Sequence, residues 1–319
     1  MVGLKVLLAV GLVCVCQCWA QVGIDYLRED SYSIDSDEDA QYLGTKGTNC
    51  SCGNANKFRG RIVGGRQAQV NEFPFMVVIV RATDSGGFSA FCGGAVVTEH
   101  HVVTAAHCTY GEDRKRLAVV VGEHNLADAT ESRFTKIYMA DKVIEHELYD
   151  DDTSQFDIAL IVSSRRKIAY NMAVGPICLP KSPFNAAELE GHFVKVMGWG
   201  DLQYKGEKAK VLMKVNLRVV DFNTCAQRYS DNSINLKTRH QFCTYSLNKD
   251  SCQGDSGGPV VWLDPETNRY TLVGIVSFGR ACAGPDPGVN TDVMHFMDWV
   301  IHHINADSKL SGANICTKE

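Results

Sequence analysis

The sequence predicts an all-β fold that ends in one α-helix, and two patterns carry this prediction. From Phe73 to Ser277 the chain alternates short apolar runs with turn residues, which is typical of β-barrels and β-sandwiches. After Asp292 the apolar residues recur at helical spacing as far as Ile304. At 319 residues, with 45% apolar and 22% charged residues, the chain has the composition of a folded globular protein.

The predicted strands are short apolar runs that turn residues bound on both sides. They are Phe75–Val80, Phe91–Val97, Val102–Ala105, Leu117–Val121, Ile158–Val162, Val194–Trp199, Val215–Val219, Pro259–Trp262 and Leu272–Ser277. The predicted helix has Asp292 as a candidate N-cap and carries its apolar residues on one face. These are Val293, Phe296, Met297, Val300, Ile301 and Ile304. His302 and His303 point in different directions on a helix, so the pair does not predict a metal site.

The region before the strands divides into two segments. Residues 1–20 predict a secretory signal peptide, because Lys5 precedes the apolar run Val6–Val15, which is too short to span a bilayer. Residues 21–61 are predicted to be an acidic pro-segment. Its first part, 21–49, has seven acids and two bases and is expected to be flexible. Residues 62–305 are expected to form the β-rich domain, and 306–319 a C-terminal tail.

Charge and cysteine content narrow the class of protein further. The net charge is −5, from 32 basic and 37 acidic residues, and gives no reason to expect nucleic-acid binding. Three of the 13 cysteines (Cys14, Cys16 and Cys18) belong to the predicted signal peptide. The ten that remain are expected to form disulfides in an extracellular protein.

A candidate nucleophile, Ser256, stands between an aspartate and two glycines in the stretch Asp250–Pro259. A serine hydroxyl is a weak nucleophile at neutral pH, so it needs a neighbouring base and a place for developing negative charge. The flanking glycines let the backbone turn tightly and present N–H groups to a substrate carbonyl. An ordinary surface turn has the same composition, so this stretch alone leaves both interpretations open.

A base and an acid for such a serine stand elsewhere in the chain. His107 follows the predicted strand Val102–Ala105, and Cys108 directly after it can anchor the loop covalently. A buried core histidine is the common alternative for a single residue of this kind. Asp157 lies at the entry to an apolar strand, where an unpaired carboxylate would be costly, so it is the candidate that orients the imidazole.

Four motifs together resemble the chymotrypsin/trypsin-like serine endopeptidases. They are TAAHC with His107, DIAL starting at Asp157, GDSGGP around Ser256, and IVGG starting at Ile62. The resemblance runs from Ile62 to about Ile304 in the order and spacing of the family. It implies two six-stranded antiparallel β-barrels followed by the helix. The CSCG stretch ahead of IVGG is also similar to secreted arthropod proteases, including venom and haemolymph enzymes.

The resemblance implies a role for each matching residue. Ser256 is expected to be the nucleophile, His107 the general base and then acid, and Asp157 the orienting carboxylate. The N–H groups of Gly254 and Ser256 correspond to an oxyanion hole. Ser277 matches the position that supports the aspartate and belongs to the substrate-binding set.

Substrate preference is implied by Asp250, at the position that forms the floor of the primary specificity pocket. A carboxylate there pairs with Arg or Lys of a substrate, and Gly279 and Gly288 match the pocket walls. Two residues depart from the usual trypsin pattern. Phe278 stands where tryptophan is typical, and Asn290 stands where tyrosine is usual, which leaves the preference between Arg and Lys open.

The resemblance also implies activation by cleavage. Cutting after Arg61 frees the ammonium group of Ile62, which is expected to pair with Asp255 and to order the oxyanion loop. The protein is therefore expected to be a zymogen before this cut.

Disulfides follow the family pattern as well. The expected pairs are Cys92–Cys108, Cys225–Cys243, Cys252–Cys282 and Cys52–Cys178, with Cys52 preferred over Cys50 as the tether to Cys178. Cys50 and Cys316 either pair or leave one cysteine free.

No cofactor and no catalytic metal are expected. The stretch from Glu123 to Glu131 resembles the calcium loop of some relatives but is about a residue shorter, and Arg133 lies near a ligand position. Weak calcium binding or none is expected there.

The function predicted from these residues is a secreted endopeptidase that cleaves after Arg or Lys. Its expected partners are protein or peptide substrates, an activating protease and macromolecular inhibitors, with no nucleic acid and no membrane, and it is expected to be a monomer. The alternative is a catalytically silent homologue that serves as a binding partner or cofactor. Such homologues usually lack a triad residue, whereas all three are present here.

Overall fold

The structure, a computed structural model, describes residues 44–56, 66–128, 131–163, 165–181, 186–202, 206–229, 233–247, 253–280, 284–306 and 314–319. The predicted signal peptide and residues 21–43 of the predicted pro-segment lie outside the described residues. Several residues with predicted roles lie outside them too: Arg61, Ile62, Asp250, Cys252 and Cys282.

Seven antiparallel strands form one curved sheet in the N-terminal half. They are β2 (Met76–Ala82), β3 (Phe88–Val96), β4 (His101–Thr104), β5 (Leu117–Val121), β6 (Lys136–Met139), β7 (Lys142–Glu145) and β8 (Ala159–Val162). Their order is β6-β5-β2-β3-β4-β8-β7. Every residue of β4, β5 and β8 is buried, and runs of valine and isoleucine suit a buried pleated surface.

The two edge strands of this sheet are consecutive in the chain, and only Ala140 and Asp141 separate them. Ala140 N–H donates to Leu117 O on β5 at 3.0 Å, and Asp141 N–H donates to Val162 O on β8 at 2.8 Å. The sheet therefore curls round on itself, and its two edge strands, β6 and β7, meet where the chain bends at Ala140 and Asp141.

The C-terminal half is a closed barrel of six antiparallel strands. They are β9 (Phe193–Gly198), β10 (Met213–Val220), β11 (Gln241–Tyr245), β12 (Pro259–Asp264), β13 (Arg269–Phe278) and β14 (Gly288–Asp292). The order is β10-β11-β14-β13-β12-β9, and β9 pairs with β10 to close the ring. A short strand, β1 (Arg66–Gln67), extends the sheet at β10. The predicted all-β architecture is confirmed.

Two α-helices occur in the described residues: α1 (Phe222–Arg228) and α2 (Met297–Ala306). The predicted C-terminal helix is α2, but it begins later than Asp292. The Asp292 carboxylate accepts from Met294 N–H at 3.0 Å, so it caps the turn that precedes the helix. The sequence pattern did not predict α1, whose first turn is capped by Asp221 accepting from Thr224 N–H at 2.7 Å.

The part of the predicted pro-segment that the structure describes is packed on the body of the protein. Residues 44–56 include the fully buried Cys52, which forms a disulfide with Cys178. A second disulfide joins Cys50 to Cys316, and this pairing decides the choice that the sequence left open. The expectation of a flexible segment is therefore wrong for residues 44–49, because disulfides at Cys50 and Cys52 hold the chain directly after them.

Two further disulfides that the family pattern implied are present, Cys92–Cys108 and Cys225–Cys243. The expected pair Cys252–Cys282 falls outside the described residues. Neither helix in the described part of the chain has the length and hydropathy that crossing a bilayer requires.

Candidate active site

His107 and Asp157 are hydrogen-bonded to each other through two groups. The imidazole Nδ1 lies 2.8 Å from Asp157 Oδ2, and the backbone N–H of His107 donates to Asp157 Oδ1 at 2.9 Å. The Asp157 side chain is only 1% exposed, whereas the His107 side chain is 26% exposed. A buried carboxylate thus holds an imidazole whose other face reaches the surface.

Strand pairing explains why these two residues meet although fifty positions separate them. β4 ends at Thr104, two residues before a 3₁₀ turn at Ala106–Cys108 that carries His107. β8 begins at Ala159, directly after the stretch that carries Asp157. Thr104 is paired with Ala159 in the antiparallel ladder, so the end of one strand lies beside the start of the other.

The C-terminal barrel supports the aspartate from the other side. Ser277 Oγ, on β13, donates to Asp157 Oδ2 at 2.5 Å. Thr291 Oγ1, on β14, donates to the backbone oxygen of Asp157 at 2.7 Å. The sequence motifs identified Ser277 but missed Thr291, because no local pattern marks a side chain that reaches the backbone of another barrel.

The loop that carries Ser256 turns on two glycines with positive φ. Gly254 has φ +101° and Gly257 has φ +74°, which only glycine adopts without strain. At Gly257 a side chain would also collide, since a Cβ atom would lie 2.2 Å from Thr104 Oγ1 and 3.0 Å from Cys108 Sγ. The loop therefore lies against the 3₁₀ turn of His107.

Ser256 is attached to the N-terminal half through its backbone. Its carbonyl oxygen accepts from Gly93 N–H at 2.8 Å. Within the described residues, the N–H groups of Gly254 and Ser256 have no hydrogen-bond acceptor in the protein. The expectation that these two donors form an oxyanion hole stays a prediction.

The structure brings His107 and Asp157 together, and it places Ser256 in the neighbouring loop. His107 Nε2 lies 3.6 Å from Cys108 Sγ, and the same sulfur faces Gly257, the residue after Ser256. Within the described residues, no hydrogen bond joins Ser256 Oγ to His107 Nε2. Such bonds are commonly long or poorly aligned before a substrate is bound.

Asp255 is packed against the turn that follows β9. Its Oδ1 accepts from Gly200 N–H at 2.8 Å. A Cβ atom at Gly198 would lie 2.1 Å from the same oxygen, so a larger residue there would displace the carboxylate. Its predicted partner, Ile62, lies outside the described residues.

The predicted pocket walls come close together, since a Cβ atom at Gly279 would lie 3.8 Å from the Cα atom of Gly288. Asn290, the unusual residue behind the predicted pocket, is buried, and its amide donates to Thr244 Oγ1 at 3.1 Å. Phe278 packs edge-on against the ring of Tyr229 at 5.7 Å. The predicted floor residue, Asp250, is outside the described residues.

Electrostatics favour a protonatable imidazole at His107. Burial by itself lowers the pKa of His107, but the hydrogen bond to Asp157 and the negative charges of Asp157 and Asp151 raise it. The net effect places the pKa above its usual value of 6.5.

A separate acidic loop contains Glu123. Burial raises the pKa of Glu123, and the negative charge of Glu131 raises it further. Its Oε1 accepts from His124 N–H at 3.0 Å, and Glu131 Oε1 is buried without a hydrogen-bond partner in the described residues. The expectation of weak calcium binding or none at this loop stays a prediction.

Comparison with known proteins connects this arrangement to a family. The family model described as Trypsin matches residues 62–300. The chain is 38% identical over 255 residues to a venom serine protease of Polistes dominula, covering 79% of this chain and 87% of that protein. It is 38% identical over 258 residues to venom serine protease 34 of Apis mellifera, covering 80% of this chain and 60% of that protein. It is 35% identical over 262 residues to the proclotting enzyme of Tachypleus tridentatus, covering 79% of this chain and 68% of that protein.

Proposed function

Because this chain belongs to the trypsin family of serine proteases, we propose that it is a secreted endopeptidase that cleaves peptide bonds after Arg or Lys. The observation that carries the proposal is the buried Asp157 carboxylate, which accepts from both the Nδ1 and the backbone N–H of His107. This arrangement leaves Nε2 as the basic nitrogen of the imidazole, on the side of the loop that carries Ser256.

In the proposed reaction, Ser256 Oγ attacks the carbonyl carbon of the scissile bond while His107 Nε2 takes the hydroxyl proton. The carbonyl oxygen becomes an oxyanion that the N–H groups of Gly254 and Ser256 stabilise. The intermediate then collapses, the C–N bond breaks, and His107 gives the proton to the leaving amine. A water molecule repeats the sequence on the acyl-enzyme, which releases the acid and restores Ser256.

Asp157 is proposed to act without transferring a proton itself. By accepting from Nδ1–H it selects the tautomer in which Nε2 is free to accept, and it stabilises the imidazolium that forms. Ser277 and Thr291 hold this carboxylate and its backbone in place from the C-terminal barrel.

Specificity for basic residues is proposed from Asp250 at the pocket floor, with Gly279 and Gly288 leaving room for a long side chain. The experiment is to cleave the precursor after Arg61 and to measure kcat/KM on matched peptide amides that differ only in Arg, Lys or Phe before the scissile bond. Cleavage of the Arg or Lys peptide with little cleavage of the Phe peptide is expected. A preference for Phe would refute the role of Asp250.

The alternative, a catalytically silent homologue, is tested separately by covalent labelling. An organophosphonate is expected to modify Ser256 of the cleaved chain, because only an activated serine reacts. A cleaved, folded chain that takes up no label would instead support the silent homologue.

Acidification is expected to abolish the proposed activity through His107. The imidazole must be neutral to accept the serine proton, and its pKa lies above 6.5. The kcat/KM value should therefore fall as one proton binds, with a midpoint on the acid side above pH 6.5. The profile is measured between about pH 5 and 9. A midpoint below 6.5 would contradict the influence of Asp157 on this imidazole.

Activation by cleavage is proposed as well, and Arg61→Gln tests it. A trypsin-like activator cannot cut after glutamine, so the Ile62 ammonium is not freed and cannot pair with Asp255. We expect this variant to remain inactive after treatment with the activator, whereas Arg61→Lys should still be activated. The measurement is peptidase activity with electrophoresis of the chains. Full activity of uncut Arg61→Gln would exclude the zymogen proposal.

We propose an extracellular location and protein partners from the same similarity. The relative named proclotting enzyme suggests protein substrates and an upstream activating protease for this chain, with macromolecular inhibitors as further partners. We expect a monomer. Weak calcium binding or none near Glu123 stays a prediction.

A further inference from the structure

The C-terminal barrel holds the short stretch that ends in Asp157. Phe156 N–H donates to His240 Nε2 at 3.3 Å, and Thr291 Oγ1 donates to the Asp157 backbone oxygen at 2.7 Å. His240 directly precedes β11, and Thr291 lies on β14, its neighbour in the barrel. The backbone of this stretch is thus held by two contacts from the C-terminal barrel, in addition to the bond from Ser277 Oγ to the Asp157 carboxylate.

Phe156 adopts a backbone conformation that a bulky side chain rarely takes. Its φ is +56°, in the left-handed region, where an aromatic residue persists only if its surroundings hold it. Its ring is stacked between two imidazoles, with centroid distances of 5.1 Å to His146 and 4.4 Å to His240. Stacking fixes the ring, and the hydrogen bond to His240 fixes the peptide group.

The imidazole of His240 is arranged as an acceptor. It is fully buried, and its Nδ1 lies 2.5 Å from Thr238 Oγ1. Because Nε2 accepts from Phe156 N–H, the proton of the neutral ring is on Nδ1 and is donated to the threonine oxygen. Burial, together with the neighbouring imidazoles His295 and His146, lowers the pKa of His240 to about 4.

We propose that His240 is a positioning residue for catalysis: its Nε2 holds the Phe156 peptide group in the left-handed conformation that directs the Asp157 carboxylate at His107. The inference rests on the proposed proteolytic function. If the hydrogen bond is lost, Phe156 can relax to negative φ, and the peptide group before Asp157 turns. A displacement of about 1 Å in such a group can cost about 10²-fold in rate.

The test compares two replacements of similar length in the activated enzyme. Gln in His240→Gln presents an oxygen near the position of Nε2 and can still accept from Phe156 N–H, whereas Met in His240→Met cannot. We expect His240→Met to lower kcat by about 10- to 100-fold with KM changed less than about twofold, and His240→Gln to keep most of the activity. Equal kcat values in the two variants and the wild type would overturn the proposal.

The pH profile separates positioning from a general loss of stability. If Asp157 moves away from His107, the imidazole loses the charge that raises its pKa, so the acid midpoint of kcat/KM should move to lower pH in His240→Met. The matched control is His146→Gln, which removes the ring on the other face of Phe156 and leaves the hydrogen bond. Its midpoint should be that of the wild type. A shift of the same size in both variants would assign the effect to stacking and overturn the role of Nε2.

A measurement that needs no activity distinguishes this inference from the proposed function. The pKa of His107 is followed by NMR in Ser256→Ala, with and without His240→Met. A lower pKa in the double variant supports the positioning role even if the wild type proves to be catalytically silent, and an unchanged pKa refutes it.

If His240→Met does not fold, hydrogen exchange at the Phe156 amide in Ser256→Ala decides. Strong protection is expected, and exchange at the rate of an exposed amide would refute the hydrogen bond.

Discussion

Ser256→Ala is expected to lower kcat by about 10⁶-fold, the size of loss that follows removal of the nucleophile from a serine protease. The substitution deletes only the hydroxyl oxygen that attacks the substrate, so KM and the thermal midpoint should change little. The loop keeps its shape because its turn depends on Gly254 and Gly257, and because the bond from Gly93 N–H reaches the backbone of Ser256. The measurement is steady-state hydrolysis of an arginyl peptide amide by the cleaved chain.

A matched control for this substitution is Ser89→Ala, on an exposed part of β3. It makes the same chemical change far from His107 and should leave kcat within about twofold of the wild type. If purified Ser256→Ala retained more than about 1% of the activity, the nucleophile would have to be another residue. Organophosphonate labelling should disappear in Ser256→Ala and persist in the control.

Asp157→Asn is expected to lower kcat by about 10⁴-fold, the loss known for removal of this carboxylate from the Ser-His-Asp triad. The amide is nearly isosteric, so the geometry should remain. The new NH₂ group would donate to His107 Nδ1, so the ring proton would move to Nε2. A protonated Nε2 cannot accept the proton of the Ser256 hydroxyl. The imidazole would also lose the charge that raises its pKa, so any residual activity should have a lower acid midpoint.

The matched control for this second substitution is Asp151→Asn. Asp151 is exposed and affects His107 only through its charge, the last of the contributions that raise the pKa. Neutralising it should change kcat less than about twofold and lower the acid midpoint slightly. If Asp151→Asn were as damaging as Asp157→Asn, the effect would be one of net charge rather than of the hydrogen bonds to His107.

Local sequence predicted much of the fold because the residues concerned carry local information. The run Leu117–Val121 is short, apolar and rich in β-branched valine, and it forms β5 in the structure. The helical spacing after Asp292 predicted α2, but the helix begins at Met297 because Asp292 caps a preceding turn. The sequence pattern did not predict α1, because a helix of seven residues has too few turns for helical spacing of apolar residues to be recognised.

Charge composition was misleading for residues 44–49, the part of the predicted flexible segment 21–49 that the structure describes. A polar segment with few apolar residues cannot bury enough apolar surface to fold alone, yet here the disulfides Cys52–Cys178 and Cys50–Cys316 hold the chain directly after it. Cysteine pairing depends on distances between parts of the chain that are remote in sequence. The pairing of Cys50 with Cys316 therefore could not be deduced from spacing.

By itself the sequence determined the residue types and motifs of a serine protease, because nucleophile, base and acid stand in short segments whose chemistry is local. Only the tertiary structure decided how Asp157 is held. The antiparallel ladder of β4 and β8 brings it to His107, and Ser277, Thr291 and His240 reach its segment from the other barrel. These hydrogen bonds join residues that are far apart in the sequence and follow no repeating pattern. They form because the ends of the strands lie close together in space, which the sequence pattern does not show.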